Sequence, residues 1–143
     1  REGSGDMYYK GGNLVHTIRQ IINNDSSFRA LLRGMNQVFY HQTVTGKQIE
    51  EYISKTSGID LSKVFDQYVR TTQVPVLEYK VSGSKLSYRW TDCVNGFNMP
   101  LKINFGEQKW IYPTPKWKKL KIKKSAQGTF SVDRNFYIKT KQL

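Results

Sequence analysis

The chain has 143 residues, with 23 Lys or Arg against 11 Asp or Glu, a formal net charge of +12. Hydrophobic residues make up 38%, with 11 Gly besides, which places the chain among globular sequences and excludes a disordered one. No apolar run approaches the ~18 residues of a membrane span, and the single cysteine, Cys93, excludes an internal disulfide framework and a cysteine-based zinc site. The chain opens Arg1-Glu2-Gly3-Ser4-Gly5 without an initiator Met or a charged-then-apolar leader, and reads as a piece of a longer protein. Charge is uneven along it. Residues 1–75 hold 9 Lys/Arg and 7 Asp/Glu, a net of +2, whereas residues 76–143 hold 14 and 4, a net of +10. Such asymmetry signals either an anionic partner or the solvated face of a lysine-rich sheet.

The first half has helical periodicity. Leu14, Val15, Ile18, Ile21 and Ile22 recur at the spacing that lines one side of a 3.6-residue turn. Asp25-Ser26-Ser27 offers side-chain oxygens to a second helix start, and Phe28, Leu31, Leu32, Met35, Val38 and Phe39 form its stripe. Thr45-Gly46-Lys47-Gln48 has the capping-box pattern and predicts a third helix through Ile49, Tyr52 and Ile53, ended by Gly58. Asp60 is placed to cap a fourth helix bearing Leu61, Val64, Phe65 and Tyr68.

After Val74-Pro75 the period changes from 3.6 to 2, which marks a division into a helical unit, 1–75, and a strand-rich unit, 76–143. Leu77-Tyr79-Val81 and Leu86-Tyr88-Trp90 flank Ser82-Gly83-Ser84, a hairpin signature. Further strands are expected at 101–105, 110–112, 120–122, 130–132 and 136–138, separated by Gly, Pro, Asn or Asp. The fold class is therefore α+β, helices followed by a small β-sandwich of seven short strands.

No complete catalytic set is present. A zinc hydrolase needs three converging ligands, most simply two His four residues apart on a helix around a Glu. His16 is followed at that spacing by Gln20 and His41 by Thr45, so neither is half of such a motif. His16, beside Val15 at the edge of an apolar stripe, reads as a helix histidine with an ordinary hydrogen bond. There is no G-x-S-x-G, no Gly-rich phosphate loop and no Cys–His pairing signal.

The segment Tyr8-Tyr9-Lys10-Gly11-Gly12, leading into the first amphipathic stripe, resembles the Tyr-x-Lys-Gly stretch downstream of the zinc site in the gluzincin aminopeptidases, the aminopeptidase N and leukotriene-hydrolase family. Phe65-Asp66-Gln67-Tyr68 followed by Val74-Pro75-Val76-Leu77 is similar to that family's passage from its last catalytic helix into a β-sandwich. The resemblance implies a parent zinc aminopeptidase that removes N-terminal residues from peptides. This chain would be the end of its thermolysin-like catalytic domain plus the next β-sandwich, packed on the upstream part of that domain. The family's zinc ligands would precede Arg1, so zinc belongs to the parent and none to this fragment, which alone would be inactive. Of the family's site residues only the tyrosine carries over, to Tyr8, as donor to the tetrahedral oxyanion. A phenol suits that task, being a neutral donor that does not compete for metal. Gly11 and Gly12 would let the helix start pass close under a substrate cleft; Gly12 departs from the Ala or Ser frequent in the family.

Other readings stand beside this one. Tyr8 can be an aromatic anchor before a helix, as can Tyr9, and Lys10 reads as a solvated or capping lysine. Tyr79, Tyr88, Trp90, Trp110 and Trp117 have the composition of a base-stacking platform, but strand aromatics more often fill a core. Lys116-Trp117-Lys118-Lys119-Leu120-Lys121-Ile122-Lys123-Lys124 has the composition of a nucleic-acid patch. Period 2 instead puts Lys119, Lys121 and Lys123 on one face and Leu120 and Ile122 on the other, the pattern of a protected edge strand, and no specific nucleic acid is expected. The rival functions are a basic β-domain that binds nucleic acid or another polyanion, and a non-catalytic helical scaffold joined to an adhesion-type sandwich.

Overall fold

The computed structural model describes residues 5–122 and 130–143. Four helices come first: α1 (Asp6–Ile22), α2 (Asp25–Val38), α3 (Gly46–Ser57) and α4 (Ser62–Arg70). Among the described residues seven strands follow: β1 (Val76–Ser82), β2 (Lys85–Thr91), β3 (Leu101–Asn104), β4 (Gln108–Ile111), β5 (Lys118–Lys121), β6 (Ser131–Val132) and β7 (Lys139–Gln142). The chain is α+β, with the strands confined to a small sheet region after Pro75.

The capping box forms as the spacing requires. Thr45 Oγ1 accepts from Gln48 N–H at 3.2 Å, Gln48 Oε1 accepts from Thr45 N–H at 2.8 Å, and Gly58 ends α3 at φ 71°. The N-cap of α4 is Leu61, one residue beyond the expected Asp60, and Asp60 Oδ1 accepts from the N–H of Ser62, the first helical residue, at 3.0 Å. Hydrogen bonds from Ser62 hold the Asp60 carboxyl below the usual carboxylate range.

Two further helix starts differ from expectation. The cap of α2 is Asn24, whose side chain accepts from Ser27 N–H, and Asp25 lies inside the first turn. There its two oxygens meet Arg19 Nε and Nη2, each at 2.8 Å, and the fork bridges the short turn between α1 and α2. α1 begins at Asp6, so Tyr8 lies in its first turn and Gly11 and Gly12 lie inside the helix. Glycine weakens a helix interior but does not forbid it, and the downstream stripe of α1 buried on the core holds the turn in place.

The sheets have strand orders β5-β2-β1-β7 and β4-β3-β6. β1 and β2 form the expected hairpin, Leu77 opposite Trp90 and Tyr79 opposite Tyr88, with Gly83 at φ 57° supplying the turn's positive φ. β7 pairs parallel to β1; the other pairings are antiparallel. One core runs through both halves: Ile18 and Ile21 of α1 and Val64, Phe65 and Tyr68 of α4 cluster with Leu77, Leu86 and Trp90 of one sheet and Leu101, Ile103 and Ile111 of the other. The stripe of α2 is only partly used, for Phe28 and Leu31 are buried whereas Leu32 and Val38 are exposed.

The seventh strand lies at 139–142, not 136–138. Phe136 N–H bonds Asp133 O in a turn, which drops the Phe136 ring into the core. Tyr137 then has its N–H accepted by Thr17 Oγ1 at 3.3 Å, and its carbonyl accepts from Tyr68 Oη at 2.6 Å. Helix side chains thus satisfy this backbone where a neighbouring strand would otherwise do so. β7 itself is exposed at every position, so it shows no alternation to read.

Where α2 crosses α3, Gly34 faces Tyr52, whose ring also packs edge-on against Phe39 at 5.6 Å. A Cβ at Gly34 would collide with the Tyr52 hydroxyl but would lie 3.7 Å from Cζ, an ordinary contact. Gly34→Ala should therefore destabilise the wild type, yet stabilise a Tyr52→Phe background by about 0.5–1 kcal/mol through helix propensity. Urea unfolding of the four proteins checks this, and additive effects would contradict it.

Candidate functional site

Tyr8 projects from the first turn of α1 and is 76% exposed. Its neighbours along the helix make an open strip. Met7, Gly11 and Val15 follow one another at four-residue spacing, with Tyr8 and Gly12 on the adjoining row, and all are exposed. Among the described residues nothing within 4 Å would meet a Cβ at Gly11 or Gly12. Contiguous apolar surface of this kind marks an interaction site more often than a solvated face.

The opposite flank of the same turn is tied down. Lys10 Nζ donates to the carbonyl of Thr71, the C-cap residue of α4, across 61 positions of sequence. An ammonium at a helix C-terminus meets both an unpaired carbonyl and the negative end of the dipole. Lys10 is thus a capping lysine, and the cap belongs to a different helix. Thr71 Oγ1 in turn donates to Gln67 O at 2.6 Å, and the buried Gln67 amide donates to Gln73 O at 2.9 Å and accepts from Val94 N–H at 2.7 Å. Tyr8 therefore sits two residues from a rigid junction of α4, the 71–75 connection and the loop after β2.

The histidines stand apart from this site. His16 Nε2 donates to Asn135 Oδ1 at 2.9 Å, the ordinary hydrogen bond expected of it. His41, at φ 51°, lies edge-on to Tyr40 in an exposed turn. Among the described residues no group of three His, Cys, Asp or Glu is placed to hold a metal ion. Burial and the Asp92 carboxylate push the Cys93 thiol up, away from the reactive thiolate. The hollow of about 100 Å³ between the sheets is lined by Leu86, Ile103, Phe105, Leu120 and Ile122 with Glu107, Lys109 and Lys121, and contains none of Tyr8, His16, His41 or Cys93.

The aromatics divide. Trp90 and Tyr88 are core; Trp90 packs edge-on to Phe97 at 5.2 Å and donates Nε1–H to Met99 O. Trp117 is not core: it is 43% exposed, with the Arg89 guanidinium 4.7 Å from its ring centroid. β5 is an edge strand, with Lys119 and Lys121 exposed and Leu120 against the core, as its alternation implies; Lys123 and Lys124 lie outside the described residues. Two features are illegible in single segments. Gln67 reads as a generic helix residue, and Glu78 reads as the solvent side of a strand although it is 8% exposed under Arg89.

No protein-family model and no curated protein matches the chain. Among solved structures it is similar to Legionella pneumophila aminopeptidase A, determined in complex with aspartic acid, at 18% identity and a TM-score of 0.72. The match covers 97% of this chain and 18% of that one, so the chain spans less than a fifth of its neighbour's length. The chain thus has an aminopeptidase-like fold over nearly its whole length.

Removing the Lys10 ammonium leaves the Thr71 carbonyl without its charged partner. Lys10→Met, which keeps the aliphatic stem, should cost about 0.5–1.5 kcal/mol of unfolding free energy, read from denaturant melts; an unchanged midpoint would remove Lys10 from the junction. The purified chain should also carry no stoichiometric zinc, because two separated histidines do not make a three-ligand site. Metal analysis after dialysis checks this, and one tightly held zinc per chain would contradict it.

Proposed function

We propose that this chain is part of a zinc-dependent aminopeptidase of the gluzincin type: 1–75 closes the catalytic domain and 76–143 is the β-sandwich that follows. The observation that carries the reading is Tyr8. It is an exposed phenol on an exposed apolar strip, within Tyr-x-Lys-Gly, in a chain that matches part of an aminopeptidase along nearly its whole length. A fold likeness alone does not assign chemistry; the placement of Tyr8 adds a group suited to one step.

In this reading the metal's ligands come from upstream sequence of the longer protein; among the described residues no group of three His, Cys, Asp or Glu is placed to hold a metal. The strip of Met7, Tyr8, Gly11, Gly12 and Val15 is where the upstream part of the catalytic domain packs. The two glycines leave bare backbone beside the phenol, with room for an extended peptide substrate. Tyr8 then donates its O–H to the oxygen of the scissile carbonyl as negative charge develops on it. This hydrogen bond strengthens toward the transition state, so it accelerates the reaction without tightening substrate binding. Lys10 acts through position, holding the turn that bears Tyr8 against the end of α4. Compared with the scaffold-and-adhesion alternative, this reading explains why bare backbone and an exposed phenol share one helix face.

In the longer protein, Tyr8→Phe should lower kcat by about 10²–10³ with little change in KM, as loss of an oxyanion donor does. Steady-state kinetics on aminoacyl reporter substrates checks this. Unchanged kcat in Tyr8→Phe with Tyr9→Phe crippled would transfer the role to the neighbouring ring.

A further inference from the structure

Independently of any peptidase role, the outer face of the four-stranded sheet carries an uncompensated charge. Leu77, Tyr79, Val81, Leu86, Tyr88, Trp90 and Leu120 belong to the core side, so alternation places their neighbours on the other. That outer face bears Lys80 on β1, Lys85 and Arg89 on β2, Lys119 and Lys121 on β5, and Lys139 and Lys141 on β7. Among the described residues one carboxylate opposes these seven cations. Glu78 is held by Arg89 at 2.8 Å and by Lys141 at 3.7 Å. Among the described residues Lys80, Lys85, Lys119, Lys121 and Lys139 form no ion pair, and all five are exposed.

Edge protection accounts for only part of this. Lysines on β5 and β7 block further strand pairing, but β1 and β2 are interior strands whose edges are already paired. Lys85 moreover stands directly opposite Lys121 in the β2–β5 register, a like-charge cross-strand pair that destabilises the sheet. Stability is given up there for charge on an open face.

The shape of the face selects among anionic partners. A single-stranded nucleic acid needs free rings for its bases, yet the outward positions of β1 and β2 are Val76, Glu78, Lys80, Ser82, Lys85, Ser87, Arg89 and Thr91. The ring on this side, Trp117, already has Arg89 over it. An extended anionic surface requires neither groove nor stacking. It gains from every lysine within a Debye length, and a half-exposed Trp among lysines suits the headgroup level. We infer that the outer face of the β5-β2-β1-β7 sheet is a docking surface for an anionic lipid bilayer, with Lys80, Lys85, Lys119, Lys121 and Lys139 facing the headgroups and Trp117 at the interface.

The test uses vesicles of phosphatidylcholine alone and of phosphatidylcholine with phosphatidylserine, at about 0.1 M salt, where the screening length is ~10 Å. The chain should sediment with the phosphatidylserine vesicles and not with the neutral ones. Its tryptophan emission should shift to the blue on binding, and Trp117→Phe should abolish the shift. Each lysine removed should weaken partitioning about fivefold, and the pair Lys80→Gln and Lys85→Gln about 25-fold. Lys85→Gln should at the same time raise the melting temperature at low salt, because it relieves the pair with Lys121; a variant that binds less while folding better cannot be dismissed as misfolded. Equal binding to both vesicle types, or full binding by the Lys80→Gln, Lys85→Gln variant, would overturn the inference. So would a single-stranded oligonucleotide that binds more tightly than the vesicles at the same salt and itself produces the Trp117 shift.

Discussion

The interaction on which the rest of the structure depends is the buried polar junction at the end of α4. Gln67 and Tyr68 are adjacent and both almost fully buried, and a buried amide or phenol is costly unless its hydrogen bonds are made. Here they are made to backbone: Gln67 to Gln73 O and Val94 N–H, Tyr68 to Tyr137 O. Burial pushes the Tyr68 phenol well up, so it remains a hydrogen-bond donor throughout the neutral and mildly alkaline range. These bonds satisfy three irregular segments that secondary structure cannot: the 71–75 connection, the loop after β2, and the stretch before β7. No described buried side-chain N or O atom lacks a partner.

The same junction links the sheets to the candidate site. Lys10 caps α4 through Thr71, Thr71 donates back to Gln67, and Gln67 reaches the loop after β2. From the other end of the molecule, Thr17 on α1 receives Tyr137 N–H while Tyr68 on α4 donates to the Tyr137 carbonyl. A single residue of the strand half is therefore held by two helices at once. The exposed turn carrying Tyr8 is fixed through Lys10 by groups that lie across the shared core.

Features governed by near neighbours along the chain are legible in the amino-acid sequence. The Thr45–Gln48 capping box, the Gly58 stop, the β1–β2 hairpin and the change of period at Pro75 depend on residues a few positions apart, and all take the expected form. Features governed by distant partners are not legible in this way. Phe136 and Ile138 alternate like a strand, but the backbone of Tyr137 between them is claimed by Thr17 and Tyr68, 120 and 69 residues away. Gly11-Gly12 reads as a helix start, yet α1 runs through it from Asp6, because packing of the downstream stripe outweighs glycine's weak propensity. Trp117 reads as a core aromatic and is instead half-exposed beneath Arg89. Within the candidate site, Tyr8 stands out through its motif and Lys10 reads as capping, while the carbonyl that it caps lies 61 residues away and leaves no local trace. The lysines of β5 are visible as a run. Their union with Lys80 and Lys85 exists only once the strands are placed in register.

The central claim is that Gln67 couples the helices to the sheets as one cooperative unit. It is tested most directly by urea unfolding followed in parallel by far-UV circular dichroism, which reports the helices, and by tryptophan fluorescence, which reports the strand-borne Trp90 in the core. The two signals should share one midpoint in the wild type. In Gln67→Leu, which keeps the volume but orphans Gln73 O and Val94 N–H, the helical signal should be lost first, at lower urea than the fluorescence. Separate transitions already present in the wild type, or a Gln67→Leu variant that unfolds like the wild type by both signals, would contradict it.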